Sequence, residues 1–128
     1  MAHDKPGRLT GKRILIVEDE MLVAFLIEEF LFDFGCSTVG PCGDVATALE
    51  AVRTEAFDLA VLDVNLAGEK VYPVAELLAE RQIPFLFLSG YGEEAIPAGH
   101  DDWRVCAKPF TSDNLKKEMS AALTAPAH

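Results

Sequence analysis

No apolar run in this 128-residue chain approaches the ~20 residues that a membrane helix needs. The N-terminal residues also lack the apolar core of a secretion signal. Basic residues are scarce: 11 Lys and Arg stand against 21 Asp and Glu, a formal charge of -10. Such a chain repels a polyanion, and its basic residues are scattered, so nucleic acid is not an expected partner. Cysteine is also sparse. Cys36, Cys42 and Cys106 are too few and too widely spaced for a zinc site, and an odd number makes no disulfide framework. Reduced thiols in a cytoplasmic protein, with no membrane partner, are the expectation. Half the residues are apolar, which suits a single globular domain over 12–123, between a flexible N-terminal arm 1–11 and a flexible tail 124–128.

What the chain does have is short apolar runs that end in polar residues. Leu59 to Leu62 is too short for a helix and too apolar for a half-solvated strand, so it reads as a central strand covered on both faces. It ends at Asp63. Arg13-Ile14-Leu15-Ile16-Val17 is a second such strand and ends at Glu18-Asp19-Glu20; Phe85 to Leu88 ends at Ser89-Gly90-Tyr91-Gly92, and Arg104 to Ala107 ends at Lys108-Pro109-Phe110. Thr38 to Gly40 supplies one more short strand. Helices are expected over Met21 to Phe34 with Gly35 as its left-handed terminator, from the N-cap Asp44 to about Arg53, over Val71 to Arg81, and from Thr111 or Ser112 to about Leu123. Asn65 to Gly68 reads as a loop. The stretch Glu93 to Asp102 has room for little more than one helical turn, and His100 beside Asp101 and Asp102 reads as solvated loop rather than as a metal site.

Five strands alternating with helices specify a doubly wound parallel sheet, and right-handed crossovers put all the strand ends on one edge. That edge is the crevice where such folds bind ligands. It gathers Glu18, Asp19, Asp63, Ser89 and Lys108. A lone Asp63 could equally cap a loop, but converging carboxylates repel, at about 4 kcal/mol for a pair ~4 Å apart at an effective dielectric of 20, and so call for a cation. Hard oxygen ligands with room for water suit Mg²⁺. A divalent ion, an ammonium and a hydroxyl around one carboxylate suit a phosphoryl group, whose transfer loads charge on equatorial oxygens. Asp63 would be the attacking group, and a cis Lys108-Pro109 bond is expected to aim the lysine across the crevice.

These motifs closely resemble the receiver domain of two-component response regulators, across residues 12 to 123. The resemblance rests on Ile16-Val17-Glu18-Asp19-Glu20, Leu62-Asp63 followed by Asn65-Leu66 and Gly68, Leu88-Ser89-Gly90, and Lys108-Pro109-Phe110. It implies a flavodoxin-like five-stranded sheet of order 2-1-3-4-5 with helices on both faces. It implies that Asp63 accepts a phosphoryl group from a sensor histidine kinase or a histidine phosphotransfer protein. Asp19 would bind Mg²⁺ directly, Glu18 through water, and the backbone carbonyl of Asn65 would complete the site with Asp63. Lys108 and Ser89 would hold the phosphoryl oxygens, and Asn65 and Tyr91 would tune hydrolysis. The expected protein is then a free-standing phosphoacceptor switch, monomer or homodimer, catalysing only its own phosphorylation and dephosphorylation.

Two departures from the family pattern stand out. Val105 occupies the position of the usual aromatic switch, and the fourth-helix region is short. Phe87-Leu88-Ser89-Gly90-Tyr91 is similar to a subgroup whose fourth strand ends Phe-x-Thr/Ser-Gly-Tyr, with Tyr91 as the substitute reporter. The first helix carries more apolar residues than the ~100° stripe a sheet covers; the excess is either ordinary surface scatter or a docking face for another helix. Two other classes fit less well. A haloacid-dehalogenase-like aspartyl-phosphate phosphatase has Asp-x-Asp at the nucleophile, where this chain has Asp63-Val64-Asn65 and lacks the proton-donating acid. A flavodoxin-like cofactor module would need a phosphate loop where acids stand.

Overall fold

The computed structural model describes residues 8–90, 97, 99, 100 and 103–124. In chain order the elements are β1 (Arg13–Val17), α1 (Met21–Asp33), β2 (Ser37–Cys42), α2 (Val45–Thr54), β3 (Leu59–Asp63), β4 (Asn65–Leu66), β5 (Glu69–Lys70), α3 (Tyr72–Glu80), β6 (Phe85–Ser89), β7 (Arg104–Ala107) and α4 (Ser112–Thr124). The main sheet is parallel, ordered β2-β1-β3-β6-β7. Counting only its own strands, that is the expected 2-1-3-4-5.

Alternate residues of each central strand feed two separate apolar layers. Leu15, Val17, Ala60, Leu62, Phe85 and Phe87 pack on one side with Ala48 and Val52 of α2 and Val74 and Leu78 of α3. Ile14, Ile16, Leu59, Val61, Leu86 and Leu88 pack on the other with Ile27 and Leu31 of α1 and Leu115 and Met119 of α4. Burial on both faces is why these strands read as unbroken apolar runs rather than alternating ones.

Local chemistry sets the helix ends. Asp44 accepts the Thr47 N–H at 2.7 Å and starts α2, and Thr111 Oγ1 accepts the Asn114 N–H at 3.1 Å before α4. Gly35, at φ 85°, follows α1. On α1 only Ala24, Ile27 and Leu31 are buried, whereas Met21, Leu22, Phe25, Leu26 and Phe32 face solvent. The apolar excess seen in the sequence does point outward.

Three features differ from the sequence reading. Residues 8–11 are fastened rather than loose: Leu9 is buried in the α1 layer, Cys36 Sγ donates to its carbonyl, and the Gly11 N–H donates to Gly35 O at 2.8 Å. Here β2 runs two residues past Gly40, with a register shift opposite Leu15 to Val17. The stretch expected as a loop from Asn65 to Gly68 is instead most of a β4–β5 hairpin. Ala67 at φ 51° and Gly68 at φ 84° form its two-residue turn, and positive φ at both positions is the twist such a hairpin needs. Lys108-Pro109 is cis, as expected, and so is Gly40-Pro41. The fourth-helix region and the tail beyond Thr124 lie outside the described residues, apart from Pro97, Gly99 and His100.

Candidate functional site

Register brings the polar residues together. Val17 pairs with Leu62, so Glu18 and Asp63 follow side by side on neighbouring strands. Asp63 in turn pairs with Leu88, and Ser89 with Ala107, which sets Ser89 at the end of β6 and Lys108 just beyond β7. Asp19, Glu20, Asp63, Asn65, Ser89 and Lys108 line one cleft of about 290 Å³ at this rim, with Gly68 of the hairpin on its edge.

At this rim the buried Glu18 joins Asp19 and Asp63 of the cleft, and each offers an oxygen within 4.8 Å of the others. Lys108 Nζ donates to Asp63 Oδ1 at 3.2 Å and lies 3.8 Å from Glu18 Oε1. Three carboxylates facing one ammonium leave two negative charges when all are ionised. Glu18 is buried at 2 % exposure; its Oε2 accepts the Glu20 N–H at 3.1 Å, but its Oε1 has no hydrogen-bond partner. Burial pushes the Glu18 carboxyl up to about 7; the nearby Asp63 charge adds to the rise, and the Glu20 amide and the Lys108 ammonium oppose it. An orphaned buried oxygen beside two more carboxylates is a donor set that fits a hard divalent cation.

The hairpin forms the other wall. Asp19 Oδ2 accepts the Ala67 N–H at 3.0 Å, tying the turn to the acidic cluster. Val71 N–H donates to Val64 O at 2.9 Å, so the next pair, Asn65 with Lys70, is a non-hydrogen-bonded one whose backbone groups point out of the ribbon. That geometry keeps the Asn65 carbonyl outside the ladder. Its side-chain Oδ1 accepts from Lys70 Nζ at 2.7 Å.

All of the sequence-selected residues that are described meet here: Glu18, Asp19, Asp63, Asn65, Ser89 and Lys108. Ser89 is buried, and its carbonyl accepts the Lys108 N–H at 2.8 Å. Tyr91 lies outside the described residues. His100 stacks on Trp103, with ring centroids 3.8 Å apart, and Asp101 and Asp102 beside it lie outside the described residues. Sequence reasoning missed Ala67 and Lys70. Two-residue strands carry no period, and only the Ala67-Gly68 pair hinted at a turn.

The model of the response regulator receiver domain matches residues 14–120. This chain belongs to the response regulator receiver domain family. SdrG from Sphingomonas melonis Fr1, solved in solution, is 45 % identical, with a TM-score of 0.79 over 90 % of this receiver and 98 % of SdrG. The BeF3-activated conformation of SdrG from Pseudomonas melonis Fr1 matches at 43 % identity and a TM-score of 0.75, covering 91 % of this chain and 98 % of that one. The response regulator PhyR from Brucella abortus is 29 % identical, with a TM-score of 0.79, over 91 % of this chain and 49 % of its own. The transcriptional regulatory protein TcrA of Mycobacterium tuberculosis is 34 % identical over 122 residues, which are 90 % of this chain and 47 % of TcrA. The receiver thus spans about half the length of the curated relatives it resembles.

Phosphoaspartate formation, active-site Mg²⁺ and phosphoryl supply by histidine kinases are features of receiver domains as a family, which act as signalling switches. The matched relatives give no support to the haloacid-dehalogenase alternative. Among the described helices none is long and apolar enough to cross a membrane.

Proposed function

We propose that this receiver is a cytoplasmic phosphorylation switch in which Asp63 takes a phosphoryl group from a phosphohistidine. The observation that carries the reading is the carboxylate cluster of Glu18, Asp19 and Asp63 held against Lys108. An Asp63 oxygen forms a bond to phosphorus while the phosphorus–nitrogen bond breaks and its electron pair stays on the imidazole. Lys108 holds Asp63 before the reaction and then neutralises the transferred oxygens, and the Ser89 hydroxyl donates to them. Glu18, Asp19, Asp63 and the Asn65 carbonyl would hold Mg²⁺, which when bound supplies charge neutralisation of the phosphoryl oxygens. Incubation with acetyl phosphate and Mg²⁺ should add one phosphoryl mass to wild type and none to Asp63→Asn. Equal labelling of both proteins, or sustained phosphomonoester turnover, would reject this function.

The partner reading rests on α1, which starts directly after the acidic cluster. Phe25 is 61 % exposed and Leu22 85 %, and an exposed apolar stripe of this kind suits a groove or helix pair on the phosphodonor. Phe25→Glu should slow transfer from a cognate kinase or phosphotransfer protein about tenfold. Labelling by acetyl phosphate should stay unchanged, because the change lies outside the cleft. Unaltered transfer kinetics would remove α1 from the docking surface.

A further inference from the structure

We propose that Lys70 is a positioning residue that prolongs the phosphorylated state by fixing the orientation of the Asn65 side-chain amide at the mouth of the cleft; the inference rests on Asp63 being the phosphoacceptor. Hairpin geometry makes the contact. Asn65 and Lys70 face each other as a non-hydrogen-bonded pair, the arrangement that brings cross-strand side chains closest. Leu66, the next residue, is fully buried, so the opposite face of the ribbon, with Asn65 and Lys70, lies outward. The tip is anchored by the Asp19 bond to Ala67 N–H, so the pair stays level with the acidic cluster.

An asparagine amide has one accepting end and one donating end, and an ammonium has donors only. Lys70 Nζ, 2.7 Å from Oδ1, therefore selects one of the two amide orientations. Asn65 lines the cleft, and the end of its amide turned away from Lys70 is then the Nδ2 donor. Hydrolysis of the acyl phosphate requires water oxygen to bond to phosphorus. The bond from phosphorus to the Asp63 oxygen then breaks, its electron pair returns to the carboxylate, and the water proton leaves to phosphate or solvent. A water in line for that attack benefits from an acceptor for its proton. A donor at the same place gives it none. Without Lys70 the amide is free to turn its oxygen toward that water.

The test uses the full chain, labelled with acetyl phosphate and Mg²⁺ and then freed of reagent, with phosphate release followed over time. Lys70→Met should lose its phosphoryl group about fivefold faster than wild type, the scale of one solvent-exposed hydrogen bond. Lys70→Arg, another donor-only side chain, should restore a rate close to wild type. In an Asn65→Ala background, Lys70→Met should change nothing, because its effect passes through the amide. An unchanged or slower decay in Lys70→Met overturns the proposal. Equal acceleration in both backgrounds also overturns it, since the lysine would then act through its charge alone. If wild type takes up no phosphoryl group, the phosphoacceptor reading fails and this one with it; normal uptake with unaltered decay defeats only the role of Lys70.

Discussion

Glu18→Gln is expected to stabilise the metal-free protein at pH 8 by about 3 kcal/mol, the free-energy equivalent of a carboxyl pushed from 4.5 to about 7. The sign follows from linkage. Because the folded-state pKa lies above the unfolded one, the folded protein binds the proton more tightly, and stability contributed by the protonated form is complete below 4.5 and lost as pH rises through about 7. Wild type should therefore weaken over that window in the presence of a chelator, and Glu18→Gln should not. The gap should close by about pH 4.5, where both side chains are neutral. Denaturant melts in EDTA across this range measure it; a Gln variant less stable than wild type at pH 8 would mean that the Lys108 attraction outweighs the burial cost. Added Mg²⁺ should stabilise wild type far more than the variant, as expected of an ion that binds only the folded state.

Lys108→Met carries the second large effect. The ammonium is the described cation between Glu18 and Asp63, at 3.8 and 3.2 Å. Removing it leaves carboxylates facing one another across a few ångströms, one of them fully buried. The variant should lose about 2 kcal/mol without metal, less than a fully buried pair because the lysine side chain is 26 % exposed. Saturating Mg²⁺ should recover most of that loss, since the ion supplies the missing charge. Phosphoryl uptake should not recover. A fixed donor aimed at developing charge is worth about a hundredfold or more in rate, and a metal among the carboxylates would neutralise charge without replacing that donor. Wild-type labelling rates in Lys108→Met would show that the lysine serves stability alone.

These expectations set a buried acid against function. Glu18 Oε1 accepts no hydrogen bond among the described residues and lies 3.8 Å from the Lys108 ammonium, which leaves room for a cation to satisfy it. The Glu20 amide satisfies the other oxygen and keeps the side chain aimed at the cleft. The folded protein thus carries an unfavourable charge cluster whose relief depends on a cation.

The sheet was legible because β1, β3 and β6 are covered on both faces, so that burial alone dictates their composition. Strand ends then named the site, since chain topology forces Glu18, Asp63, Ser89 and Lys108 to a single rim. The surplus on α1 was also legible, as ten apolar residues cannot share one stripe. Less was visible where structure depends on partners distant in sequence. Leu9 looked like part of a loose arm because one leucine among polar residues has no period; the α1 layer and the Cys36 thiol hold it. Likewise β4 and β5 are two residues each, held by the Ala67-Gly68 turn and by Asp19, which lies 48 positions away.

Composition and periodicity determined the fold class and the set of residues at the sheet edge, while the sheet order was what the family resemblance implied. Only the tertiary structure decided which of those acids is charged with difficulty and which lysine reaches the Asn65 amide. The reason is physical: patterning records whether a residue is covered. The ionisation of Glu18 and the orientation of an amide depend instead on distances of a few ångströms, set by strand register and by a hairpin that no local signal specifies.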